Sequence, residues 1–121
     1  MDSILTSVKK DLGIAEDYTH FDPDIIMDIN TAFSVLTQLG VGPETGFSIS
    51  DASTLWTDYI PDSESLVLNL VKTYVSKKTR ILFDPPLSSS VMESVNKVLS
   101  ELEWRINVAV DPKENKEVAS P

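Results

Sequence analysis

The side chains with the widest chemical repertoire fall in one short stretch: Tyr18, His20, Asp22 and Asp24. His20 is the one histidine of the chain, and an imidazole near carboxylates can act as a general base or be held as an imidazolium. That chemistry needs a second group converging on the ring, and the sequence offers none at a recognisable spacing. A lone loop histidine is ordinarily solvated, so His20 is expected to carry no catalysis. Asp22, Asp24 and Asp28 cluster in sequence but lack the glycine and closing glutamate of a calcium loop. Gly40-Val41-Gly42-Pro43 does not match a phosphate-cradling loop and reads as a helix stop. With no cysteine, disulfides, thiolate metal sites and thiol catalysis are excluded together. No catalytic, cofactor-binding or metal-ligating residue is assigned, and the chain is not expected to be an enzyme.

A chain of 121 residues, 41% of them hydrophobic, fits one domain with a modest core. No apolar run approaches the roughly 20 residues of a membrane span. Met1-Asp2-Ser3 leads directly into an amphipathic stretch, not a basic and apolar signal sequence. The expectation is a soluble protein made in a cytoplasm, with no membrane contact. Net charge is −9, and residues 1–60 hold ten Asp/Glu against Lys9 and Lys10 alone. Residues 61–121 are nearly balanced, with nine Asp/Glu and eight Lys/Arg. Such a surface does not grip a phosphate backbone, which calls for clustered cations. It serves solubility, or it lets an acidic half of one copy meet a less acidic half of another.

The elements that would position these groups are helical. Ile4, Leu5, Val8 and Leu12 predict a short helix over 3–12, ended by Gly13. Asp22 as N-cap and Pro23 at the first helical position open a second helix. Its stripe is Ile25, Ile29, Ala32, Phe33, Leu36 and Leu39, closed by Gly40 and Gly42-Pro43. Residues 43–62 are irregular, and Phe47 and Trp56 there either lid the core or arm a contact with a neighbouring molecule. A third helix is predicted from Asp62-Ser63 to Phe83, with Leu66, Val67, Leu70, Val71, Tyr74, Ile81 and Leu82 on its apolar face. Lys72 and Arg80 lie on the other face, with Asn69, Thr73 and Ser76.

Lys78 falls within the apolar stripe, so it either snorkels to water or is buried against a carboxylate or carbonyls. Asp84-Pro85-Pro86 stops the helix, because proline disfavours α geometry before it and cannot donate the next hydrogen bond. Ser90 with Glu93 has capping-box spacing for a fourth helix, Ser90 to Asn107. Val91, Val95, Val98, Leu99, Leu102 and Ile106 share a face, whereas Trp104 points among charges and is a candidate interface anchor. Residues 102–110 also alternate as a strand would, though unbroken helical phase to Leu102 favours helix. The predicted fold is all-α, a small bundle of about four helices with a long, partly ordered loop between the second and third. It comprises a domain over 1–110 and a polar tail, 111–121, that is disordered alone or ordered on a partner.

The run Tyr74…Lys78-Thr79-Arg80-Ile81-Leu82-Phe83-Asp84-Pro85-Pro86 resembles the head–tail connector (adaptor, or head-completion) proteins of tailed bacteriophages. Leu12-Gly13-Ile14 with His20-Phe21-Asp22-Pro23-Asp24-Ile25-Ile26 is similar to the same family. So are Leu39-Gly40-Val41-Gly42-Pro43 and Ser100-Glu101-Leu102-Glu103-Trp104-Arg105, in the expected order. The nearest likeness is to connectors of siphophages and prophages of Gram-positive bacteria. The resemblance implies a structural subunit without cofactor, forming a ring (dodecameric in the virion) between the portal and the stopper or tail-completion protein. Such a ring sits in the neck and extends the DNA channel, through which DNA passes without specific binding. Candidate contact residues are Lys72, Lys78, Arg80, Trp104, Arg105, Trp56 and Phe47. The alternative is a cytosolic helical protein–protein interaction module without catalytic activity.

Overall fold

The computed structural model describes residues 3–61 and 65–110. The tail 111–121 and Asp62-Ser63, the expected start of the third helix, lie outside the described residues. Five helices follow in order: α1 (Ile4–Asp11), α2 (Asp22–Gln38), α3 (Trp56–Tyr59), α4 (Leu66–Phe83) and α5 (Ser89–Val110). The all-α expectation holds, and α3 is one short turn inside the long loop. Among the described residues, extended pairing is limited to a single antiparallel bridge between Ser3 and Leu55. α4 is the central helix, flanked by α2 and α5, with α1 resting against α2 and α4.

Ser3 caps α1 by accepting from the Thr6 amide at 3.2 Å. Its last turn carries a buried cation, to which the sequence pattern gave no role. Lys9 is only 2% exposed. Its Nζ donates to the carbonyls of Glu16 at 2.9 Å and Tyr18 at 2.8 Å, and meets Asp22 Oδ1 at 2.9 Å. A buried ammonium without partners is prohibitively costly, and here three oxygens take the place of its hydration shell. The expected N-cap role of Asp22 is thereby corrected. α2 starts at Asp22 with Phe21 as N-cap residue, and the Asp22 carboxylate is turned to Lys9.

The α2 stripe falls as the periodicity predicts, with Ile25, Ile29, Ala32, Phe33 and Leu36 fully buried. Gly40 (φ +93°) ends the helix, and at Gly42 (φ +76°) a side chain would lie 2.7 Å from the Tyr59 ring. The loop after Gly42 is held by side chains. Asn30 Nδ2 donates to the Ile49 carbonyl at 3.0 Å, while the Ile49 amide donates to Asn30 Oδ1 at 2.8 Å. The Ile4 amide donates to the Thr54 carbonyl at 3.0 Å, and the Leu55 amide to Asp58 Oδ2 at 2.7 Å. The segment is ordered along its described length, because these bonds answer backbone groups that no ladder could.

Two further expectations change. In α4 the buried face is Leu68, Val71, Tyr74, Val75 and Thr79, while Leu66 and Leu82 are exposed. The helix is capped by Ser65, whose Oγ accepts from the Leu68 amide at 2.9 Å, and it stops at Phe83 ahead of the prolines. In α5 the amide of Val91 donates to Ser88 Oγ at 3.4 Å, so the start precedes the expected Ser90–Glu93 box. α5 runs unbroken to Val110, which removes the extended reading of 102–110. Only Leu99, Leu102 and Ile106 of α5 are buried. Tyr74 donates to Glu103 Oε2 at 2.8 Å and Asn107 Nδ2 to the Leu39 carbonyl at 3.1 Å, fixing the second half of α5.

Candidate interaction surface

His20 lies exposed in the loop before α2 and is surrounded by rings. Its centroid is 4.9 Å from Phe21 and 6.2 Å from Tyr18, and Phe21 in turn meets Phe83 edge-on at 5.4 Å. Asp22, which the sequence sets beside it, is engaged by Lys9 instead. Among the described residues no three His, Asp or Glu side chains are grouped to hold a metal ion.

The structure separates the sequence-derived contact residues into three places. Trp56 and Phe47 belong to the core region, which corrects the reading of them as a docking arm. Trp56 is 1% exposed and its Nε1 donates to Ser7 Oγ at 2.9 Å. Phe47 is half-buried, with Phe33 at 5.0 Å and Tyr59 at 4.6 Å between ring centroids. Burying the large apolar area of these rings against Phe33 outweighs what exposure to a partner would offer in the single chain. The Tyr59 hydroxyl in this cluster is shielded from solvent, and burial pushes its pKa up.

Lys72 and Arg80 come together in a shallow hollow lined also by Asp11, Leu12, Thr73, Ser76 and Lys77. Lys72 Nζ stands 5.9 Å from the Trp56 ring centre, a cation–π distance. Arg80 Nη1 donates to the Asp11 carbonyl at 3.3 Å, and Ser76 Oγ to Asp11 Oδ2 at 2.7 Å. The cations of α4 thus already offset the carbonyl end of α1 within one chain. Lys78, half-buried, sits on a different side of the helix. Trp104 is 68% exposed on the outer face of α5, beside exposed Arg105 and remote in phase from Leu102 and Ile106.

Two concave patches meet at the end of α4. One is a groove lined by Ile81, Pro85, Pro86, Leu87, Val91 and Val95 together with Lys77, Arg80 and Asp84. The other is an acidic hollow of Asp24, Asp28 and Asp84 around Phe21, Met27, Leu82 and Phe83. Partial burial, and secondarily the charge of Asp24, raise the pKa of the Asp28 carboxyl. Met27 and Leu87 are the projecting side chains of these patches, and neither stood out in the sequence. The signals were present but slight: a methionine off the α2 stripe between two aspartates, and a leucine directly after a double proline.

Both patches suit recognition of another surface. No curated protein and no solved structure is detectably similar to this chain. A family model described as phage connector protein matches residues 4–113, from the first turn of α1 past the end of α5. Among the described residues no helix is long and apolar enough to cross a membrane. With that match spanning nearly its whole length, the chain belongs to the phage connector protein family.

Proposed function

We propose that the chain is a structural subunit of the phage neck. Copies assemble into a homo-oligomeric ring between the portal and the stopper or tail-completion protein, and DNA passes through the channel. The observation that carries this reading is the family match over residues 4–113. The charge distribution supports it. A net charge of −9 keeps DNA from adhering, since each cation placed on a phosphate adds affinity and therefore friction. Trp104 and Arg105, held outward on α5, are the anchor offered to a second neck protein.

The test is the mass and image of the purified full-length protein with the portal protein of the same phage. A closed ring seated on the portal is the expected result. A protein that stays monomeric and binds neither portal nor any neck protein overturns the reading. In the same preparation, Trp104→Ala is expected to reduce assembly while leaving the thermal midpoint of the free chain unchanged.

A further inference from the structure

We infer that the acidic hollow at the start of α2 and the groove at the α4–α5 corner are the two halves of one contact between copies of this chain. Met27 of one copy seats against Leu87 and the valines of the next. The assignment rests on the ring reading above and adds to it which faces meet.

A ring needs two different surfaces on each subunit, placed so that neither blocks the other. The groove is lined by Lys77 and Ile81, on the side of α4 turned away from the buried Val75 and Thr79. The hollow is lined by Leu82 and Phe83, where α4 runs beside α2. By helical phase the two therefore take different sides of α4, and they share Asp84 at its end. The groove presents uncovered apolar lining: Leu87 is fully exposed and Val91 48%. The hollow presents the matching knob, since Met27 is 65% exposed and its unbranched side chain adapts to an irregular slot.

Charge decides the pairing. Asp24 and Asp28 flank Met27, while Lys77 and Arg80 flank the groove. Among the described residues the only ion pair is Lys9–Asp22, so Asp24, Asp28 and Lys77 stand outside any salt bridge of the chain, while Arg80 has only the Asp11 carbonyl. The hollow carries carboxylates alone, whereas the groove carries two cations beside the carboxylate of Asp84, which lines both; hollow against groove is therefore the pairing that sets most unlike charge together. That contact is head-to-tail and propagates, in contrast to a two-fold contact, which ends at a dimer.

The chain has no cysteine, so two introduced thiols report the contact without background. Met27→Cys and Leu87→Cys are made singly and together in the full-length protein, assembled with the portal protein of the same phage and oxidised. The double variant is expected to give a ladder of cross-linked multimers on a non-reducing gel. The two single variants mixed are expected to give dimers only, and each alone none. A ring that forms without this cross-link, or a Met27→Cys variant that cross-links to itself, overturns the face assignment and leaves the connector reading standing. Absence of both ring and cross-link overturns the two together. Independently, Lys77→Glu is expected to weaken assembly about tenfold and Asp28→Lys in the same chain to restore it. Failure of the pair to restore assembly overturns the assignment.

Discussion

Residues 41–59 contain one short turn of helix, yet they bury Val41, Ile49, Trp56 and Tyr59. Residues 89–98 form continuous helix, yet none of them is buried. The irregular segment is the firmly held one, and the regular segment is nearly bare. Backbone chemistry accounts for the inversion. A helix satisfies its own amides and carbonyls, so its first half can stand uncovered when its second half is packed, as α5 is through Leu99, Leu102 and Ile106. A loop has no such internal ladder. Its backbone groups must find partners elsewhere, and here Asn30 and Ile4 of neighbouring helices and the Asp58 side chain within the segment supply them. In this chain the surface left for a partner lies on helices and the corner between α4 and α5, whereas the long loop serves the core.

The comparison breaks most visibly at Trp56. Replacing it with alanine is expected to cost about 4 kcal/mol of stability, read from urea unfolding, because a fully buried indole leaves a cavity and takes away the donor to Ser7 Oγ. A loss below about 1 kcal/mol would mean that the loop is not anchored through its tryptophan. Lys9→Met comes next, at about 3 kcal/mol, since it leaves the Asp22 carboxylate and two carbonyls without their common donor. Thermal unfolding checks it, and Lys10→Met, one residue on and exposed, should be nearly silent.

These two positions also show how far the sequence can be read. The extent and buried face of α2 were legible because Asp-Pro opens it, glycines close it and one stripe runs between them; the role of Asp22 was not. The phase of α4 was not. Leu66-Val67-Leu68 and Leu70-Val71 are apolar around most of the helix, so their period cannot choose a face; Val75 and the buried Thr79 do. Lys9 was invisible for another reason. Two of its three partners are backbone carbonyls, which no sequence pattern marks. Of the candidate contact residues, Trp104 was placed on an outward face by helical phase alone. Trp56 had no periodic neighbours to place it, and proved to be core.

Thr79 offers a gain where the preceding variants give losses. Its hydroxyl is buried without a hydrogen-bond partner. Thr79→Val keeps the shape and removes the desolvated group, so the thermal midpoint should rise, by about 1 kcal/mol in stability. The bare half of α5 should respond hardly at all: Val98→Ser is expected to shift stability by less than about 0.5 kcal/mol. A larger loss there would show that the first half of α5 is packed in the free chain after all.

The smallest effect concerns pH and the acidic hollow. Burial and Asp24 raise the pKa of Asp28 above its ordinary value of 3.8. Between those two values the folded chain holds more protons than the unfolded one, so this group's contribution to stability falls as pH rises through the window. Above the window the repulsion with Asp24 is present in full. Asp28→Asn removes it, so its unfolding free energy should exceed that of the unaltered chain near neutral pH, with the difference shrinking as pH falls toward 3.8. Equal stability at both ends would mean that Asp28 is relieved by water alone. A fold that tolerates such repulsion at an open patch, while neutralising Lys9 completely in its interior, keeps its unspent charge where a cationic neighbour can use it.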